Sequence, residues 1–107
     1  MSVFTYEIVL RARYEMLEAW EWYEDKQEGL GDRFIKQANL KIKQVIQSPE
    51  RYPEKKRSFR ETKIDAFPYL LIYKISNRKK VITIISVFHT SRNPKLKYPA
   101  NAKKNKR

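Results

Sequence analysis

Cysteine is absent from the 107 residues. That excludes disulfides, a thiolate nucleophile and zinc–thiolate sites, and it permits a reducing compartment. Glycine occurs only at Gly29 and Gly31, ahead of a helical pattern and without a following Lys-Ser/Thr, so no Walker-type phosphate loop is expected. His89 is the single histidine, and no His/Asp/Glu group has metal-ligand spacing. We therefore expect no metal and no cofactor. No apolar run approaches the ~20 residues of a membrane helix. Met1 leads into Ser2-Val3-Phe4-Thr5-Tyr6-Glu7 rather than into a basic and then apolar leader, so no secretory signal is expected. The chain reads as a small, soluble, cytoplasmic protein without membrane association.

Acidic residues are scarce overall, and unevenly so. Lys and Arg number 24 against 12 Asp and Glu, a formal charge of +12. Residues 1–50 hold 7 basic and 9 acidic residues, residues 51–89 hold 10 and 3, and residues 90–107 hold 7 and none. The first half is mildly acidic and the remainder carries all the excess, which suits a polyanion-facing surface or an acidic protein partner, or simply a solvated lysine-rich surface. A hydrophobic fraction of 41% is enough for one packed core, and the length allows one domain.

Hydrophobic period orders the elements. Val3 to Val9 alternates, placing Phe4, Tyr6 and Ile8 on one face of a strand. From Arg11 to Lys26 the period becomes helical, with Met16, Leu17, Trp20 and Tyr23 as the apolar stripe and Glu15, Glu18, Glu21 and Glu24 as a solvated face. A second helix from Asp32 to Gln47 carries Phe34, Ile35, Ala38, Ile42, Val45 and Ile46. Asp32 suits its N-terminal dipole and Ser48-Pro49 ends it. So short a link predicts an antiparallel helical hairpin. Glu50 to Lys56, containing Pro53, reads as a loop. Strands are expected over Arg57–Ile64, Phe67–Ser76 and Val81–His89, the last apolar and β-branched enough to be buried on both faces. Asn77 to Lys80 is a hairpin turn. The result is an α+β chain of order β-α-α-β-β-β: a helical hairpin on a small, mainly antiparallel sheet, forming one domain over residues 1–98 with a basic, disordered tail over 99–107.

Four strings stand in register with that order: Gly29-Leu30-Gly31-Asp32-Arg33-Phe34, then Ser48-Pro49 with the Pro53 loop, then Phe67-Pro68-Tyr69-Leu70-Leu71-Ile72-Tyr73, then Val87-Phe88-His89-Thr90-Ser91-Arg92-Asn93-Pro94. Together they resemble the RelE/ParE superfamily of toxins from bacterial type II toxin–antitoxin pairs, and most of all its ParE-like, plasmid-stabilisation branch, over residues 3–95. The resemblance implies a growth-inhibiting toxin with a cognate antitoxin whose acidic C-terminal segment lies across the hairpin and sheet, adding a helix or an edge strand. It also implies one of two activities, poisoning of DNA gyrase as in ParE-like members or ribosome-dependent mRNA cleavage as in RelE-like members. The fold alone does not choose between them.

Metal-free RNA cleavage needs a base, a cation for the phosphate charge and an acid. The arginine that RelE-like members carry on the middle strand falls at Leu70, a departure that removes a phosphate-binding cation. His89, Arg92 and Arg60 are the residues from which a cleaving centre could still be built, since imidazole suits proton transfer near neutral pH. Each has a plainer reading: His89 as a strand-end residue bonding a carbonyl, and Arg92 as a turn arginine paired with a hairpin acid. Tyr69 and Tyr73 share a face with Phe67 and read as core. Trp22 points away from the helical stripe and could anchor a partner, since aromatic residues are frequent interface hot spots. Arg57, Lys63, Arg92 and Tyr98 complete the candidate antitoxin- or target-binding set. Leu70 favours gyrase over the ribosome and mRNA as the target. A non-toxic basic nucleic-acid-binding relative is the remaining alternative. Homodimerisation without antitoxin is permitted by the sequence and not required by it.

Overall fold

The computed structural model describes residues 3–99. Its elements are β1 (Thr5–Ile8), α1 (Leu10–Lys26), α2 (Leu30–Gln47), β2 (Glu54–Lys56), β3 (Phe59–Lys63), β4 (Tyr69–Ser76) and β5 (Val81–His89), with single helical turns at Pro49–Arg51 and Pro94–Leu96. The expected tail lies, apart from Pro99, outside the described residues.

The five strands form one sheet of order β1-β5-β4-β3-β2. β1 runs parallel to β5 and every other pairing is antiparallel. A parallel first pair follows from the chain's course, because the two helices carry it back over the sheet before β5 completes the pairing. β5 thus sits between β1 and β4, which is why its sequence is nearly continuous Val and Ile.

The sheet has two apolar faces. Under the helices, Ala12, Ala19, Tyr23, Phe34, Ala38, Ile42 and Val45 pack on Leu71, Tyr73, Ile82, Ile84 and Val87. On the opposite face, Phe59, Ile72 and Phe88 form a smaller cluster covered by Leu70, Ile85 and Tyr98. The alternation read for β4 holds: Tyr69, Leu71, Tyr73 and Ile75 face the helices, while Leu70 and Ile72 face away.

Three expectations need correction. The stretch read as a loop before residue 57 contains a helical turn and β2, so the sheet has one strand more than predicted. β2 and β3 are joined by Arg57 and Ser58 alone, at φ 48° and 72°. Such a two-residue turn with both central residues left-handed normally announces itself as Asn-Gly or Asp-Gly; Arg-Ser carries no such signal. Leu17, placed on the buried stripe of α1, is exposed instead. Two of the four glutamates read as a solvated face are engaged: Glu15 in the sheet, and Glu24 at the hairpin, where its carboxylate accepts the N–H groups of Gly29 and Asp32 at 3.0 and 3.1 Å. Glu24 thereby supplies acceptors for the free donors that begin α2.

The hairpin turns over Gln27 to Gly29, with Gly29 at φ 88°, and the helices approach closely at Gly31. A Cβ there would lie 2.6 Å from the Trp20 carbonyl oxygen and 2.7 Å from Glu24 Cγ. Gly31→Ala should therefore destabilise the fold by about 1–2 kcal/mol, the overpacking outweighing the ~1 kcal/mol that alanine gains over glycine in a helix. The midpoint of urea unfolding reads this directly, and an unchanged or raised midpoint would contradict the close approach.

Candidate functional site

β5 carries one extra residue. Ile84 pairs with Tyr73 and Ser86 with Ile72, so Ile85 bulges out of register. A side chain's face alternates along a strand, and one inserted residue reverses the alternation beyond it. Ile82 and Ile84 face the helices before the bulge, and Val87 does so after it, while Ile85 and Phe88 face the other way. The bulge thus turns His89 toward α1, where strict alternation from Ile84 would turn it away.

Glu15 closes the other side. One carboxylate oxygen accepts the Ser86 hydroxyl at 2.7 Å and the Val87 N–H at 2.8 Å. The other meets Arg92 Nη1 at 3.0 Å and Arg11 Nε at 3.1 Å. The side chain is only 11% exposed. The carboxylate therefore joins the bulge of β5, the first turns of α1 and the segment after β5. Charge-assisted hydrogen bonds of this kind are stronger than neutral ones, and the near-complete burial of the carboxylate makes them matter more.

Between α1 and the end of β5 lies a cleft of about 370 Å³, lined by Glu18, Ala19, Trp22, Tyr23, Tyr69 and His89 among others. His89 sits edge-on to Tyr69, ring centres 4.9 Å apart. Its Nδ1 accepts the Ser91 N–H at 3.0 Å and lies 2.8 Å from the Ser91 hydroxyl, so in the neutral ring the proton resides on Nε2. Trp22 stands at the mouth, 56% exposed, with Lys26 Nζ 4.6 Å from its ring centre. Burial, with the charges of Tyr23, Glu18 and Glu15 adding to it against Arg92, pushes the Tyr69 phenol up to about 12. Burial likewise lifts Tyr73 to about 12, against the neighbouring Arg60.

The three residues from which a cleaving centre could be built do not meet. His89 and Arg92 share the cleft, but Arg92 is paired with Glu15. Arg60 pairs across the sheet with Tyr73, four residues along β4 from the Tyr69 that pairs with His89. That separation is roughly 13 Å along the strand direction. Its Nη1 donates to the Tyr52 carbonyl at 2.6 Å. Leu70 lies on the far face, packed against the cluster of Phe59, Ile72 and Phe88.

The remaining candidates gather around that far face. After β5 the chain folds back across it as a strap. Tyr98 stacks on Phe59 at 4.9 Å and its hydroxyl donates to Glu61, whose side chain is 8% exposed and also meets Lys97 Nζ at 3.1 Å. Burial, and then the bond to Glu61, raises the Tyr98 phenol above its ordinary range. Arg57 Nη2 reaches the Pro99 carbonyl at 3.5 Å. Arg11 Nη2 holds the Leu96 carbonyl at 2.7 Å. Lys63 Nζ donates to the carbonyls of Ile64 and Phe67 at the β3–β4 turn. Glu15 and Glu61 are the organising residues that sequence reasoning missed. Their spacing carries no signal, because each acquires its partners from segments far along the chain. Among the described residues, no His/Asp/Glu group could hold a metal ion and no helix is long and apolar enough to cross a membrane.

Comparison with known proteins places these features in a family. The family model described as ParE toxin of type II toxin–antitoxin system, parDE, matches residues 6–94. Among solved structures, one from the chromosomal ParDE toxin–antitoxin system of P. aeruginosa superposes with a TM-score of 0.72 at 11% identity, over 82% of this chain and 97% of that one; at that identity the likeness concerns the fold. The intact RelBE toxin–antitoxin complex of E. coli matches with a TM-score of 0.60 at 25% identity, over 84% of this chain and 100% of that one. The isolated E. coli RelE toxin matches with a TM-score of 0.60 at 24% identity, over 85% and 88%. No curated protein sequence matches the chain.

Removing the Glu15 carboxylate leaves two arginines, a buried hydroxyl and a strand N–H without their acceptor. Glu15→Ala should cost roughly 2–4 kcal/mol of unfolding free energy, while Glu18→Gln at the cleft's rim should change it by less than ~0.5 kcal/mol. Equal midpoints in chemical denaturation would refute this role for Glu15. The raised phenols of Tyr69 and Tyr73 favour the neutral form in the folded state. Their contribution is present below the ordinary tyrosine pKa near ~10 and is lost as pH rises toward about 12. Absorbance titration should find some of the seven tyrosines ionising only as the fold is lost in that window. Ionisation of all of them near ~10 in the native protein would contradict the burial.

Proposed function

The chain belongs to the ParE toxin family of type II toxin–antitoxin systems, and from that premise we propose that it acts by binding DNA gyrase rather than by cutting RNA, and that a cognate antitoxin holds it inactive. The observation that carries this reading is the dispersal of the cations a cleaving centre would need. Arg92 is paired with Glu15, Arg60 is bound to the Tyr52 carbonyl at a distant point of the sheet, and Leu70 occupies an apolar cluster. Metal-free cleavage draws much of its rate from cations aimed at the developing phosphate charge, and here that charge is committed elsewhere.

A contact-based toxin needs surface instead, and the protein has it. Trp22 stands exposed at the mouth of a preformed cleft, with the aromatic and amphipathic character of an interface anchor. Arg57 and Lys63 add positive charge near the sheet's β3 side, while Arg92 and Tyr98 hold the segment after β5 in place. The antitoxin complexes among the similar structures, RelBE and the ParDE system, support a cognate antitoxin for this chain as well. The basic surplus of residues 51–107 favours an acidic antitoxin segment on the sheet side, where opposite charge speeds encounter and sets orientation.

Purified protein freed of antitoxin should inhibit supercoiling by gyrase at micromolar concentration and leave mRNA intact in a translation extract. Trp22→Ala should weaken the inhibition at least about tenfold, the loss expected for one aromatic anchor. Unaffected supercoiling would sink the gyrase reading. Ribosome-dependent mRNA cleavage that disappears in His89→Ala or Arg92→Ala would replace it with the RelE-like activity.

A further inference from the structure

One end of the sheet is formed by two cationic hairpins. β2 and β3 join at Arg57-Ser58, and β4 and β5 join over Asn77 to Lys80. Lys56 pairs with Phe59, Arg60 with Tyr73 and Ser76 with Val81, so both turns leave the sheet at the same end. Residues 51–58 hold four basic residues and one acidic, and residues 74–80 hold four and none. Lys55, Lys56, Arg57, Arg78, Lys79 and Lys80 are all exposed.

The charge of these six side chains is uncommitted. Among the described residues none of them is in an ion pair, whereas Arg11, Lys41, Arg60, Arg92 and Lys97 each meet a carboxylate. Glu54, the one acid in the two hairpins, is engaged with Arg60 at 3.9 Å and with the Ser58 N–H at 3.1 Å. Arg57 and Lys80 lie over the rings of Phe59 and Phe4 at 5.9 and 5.3 Å, contacts that leave the positive charge in place. The side chains of Lys55, Lys56, Arg78 and Lys79 make no hydrogen bond among the described residues. Like charges gathered in this way repel one another, and a polyanion relieves the repulsion.

We propose that this end of the sheet binds the phosphate backbone of duplex DNA without reading its sequence. The two hairpins are two strand spacings apart, roughly 10 Å. That is close to the ~12 Å width of a major groove, so the two tips reach the phosphates that flank one groove. Phosphate contacts need spaced cations and no apolar pocket. An acidic peptide segment docks with apolar anchors as well as charge, and none of the large exposed apolar side chains lies in residues 51–58 or 74–80. A single strand is held largely by stacking on aromatic rings. The aromatic side chain nearest these turns, Phe59, is 6% exposed and is overlain by Lys74 at 4.9 Å.

The place of this surface in the molecule fits the gyrase reading, on which the biological setting of the proposal rests. Val81 begins β5 at the cationic end and His89 finishes it at the cleft. Eight residue steps separate them, roughly 26 Å. One molecule therefore presents Trp22 and the cleft to a protein from one end while its hairpins meet DNA at the other. Gyrase holds duplex DNA, so a toxin seated on it has both partners within reach.

The test is fluorescence anisotropy of a mixed-sequence duplex of about 20 base pairs, two helical turns, titrated with the full-length protein freed of antitoxin. Micromolar or tighter binding is expected at ~50 mM salt, weakening steeply by ~200 mM, with a log–log slope near −5 if all six cations meet phosphates. Lys55→Gln with Lys56→Gln, and Arg78→Gln with Lys79→Gln, should each flatten the slope by about 2 and weaken binding at least about tenfold, with the melting temperature unchanged. Both pairs should also weaken inhibition of supercoiling, whereas Trp22→Ala should leave DNA binding intact. Lys103→Gln, Lys104→Gln and Lys106→Gln together should leave most of the duplex affinity. Absence of duplex binding at low salt, binding lost with the three terminal lysines but indifferent to both hairpin pairs, or tighter binding to the matching single strand overturns the proposal. So do hairpin variants that keep DNA binding and lose antitoxin capture, which would assign these cations to the antitoxin. Gyrase inhibition by a protein that does not bind the duplex overturns this proposal and spares the gyrase reading. Duplex binding that depends on both hairpins, with supercoiling untouched, supports the DNA contact and removes the gyrase reading instead.

Discussion

The Glu15 carboxylate is the point on which the arrangement of this molecule turns. It sits in the second turn of α1, nearly shut off from solvent, and meets four donors from three parts of the chain. Two are arginine side chains, one is a serine hydroxyl and one is a strand N–H. A carboxylate so placed is stable only with all of those partners, and they are held in place by it. It fixes how α1 lies over β5, it occupies polar groups at the β5 bulge that the regular ladder leaves over, and it anchors the chain where it leaves the sheet.

The remaining architecture follows from that anchoring. With the bulge at Ile85 fixed, His89 and Val87 face the helices, and a cleft opens between them and α1. With Arg92 fixed, the chain leaves β5 in a direction that brings Tyr98 onto Phe59 and Glu61 on the opposite face. That strap covers an apolar face which a sheet with helices on only one side would otherwise expose. The same interaction that builds the cleft also commits Arg92, so positive charge near His89 serves structure.

The molecule also divides by charge. The helical side bears the acidic residues of the first half, and the strands and following segment bear the basic surplus. Long-range attraction then directs acidic partners to the sheet side.

Much of this was legible in the chain itself. The period of two over residues 3–9, the helical period across the hairpin, the helix-ending Ser48-Pro49 and the Val- and Ile-rich last strand specify the α+β order, because each is a local preference or a burial pattern written in neighbouring residues. The four ordered strings pointed to the toxin superfamily, and the family match agrees. What the tertiary structure alone decided is of another kind. β2 escaped notice because its turn is made by Arg57 and Ser58, residues that adopt left-handed conformations only under the constraint of the pairing around them. The helical period alone places Leu17 on the core stripe, yet Ala12 and Ala19 are what fit there, since close helix–sheet packing selects small residues that periodicity does not distinguish from a neighbouring stripe. The bulge at Ile85 is silent in an all-apolar run. Glu15, Glu61 and Arg60 are ordinary charged residues whose roles depend on partners brought to them by folding. Local pattern determined which elements form. Only their packing decided which charges are spent inside the molecule and which remain for its partners.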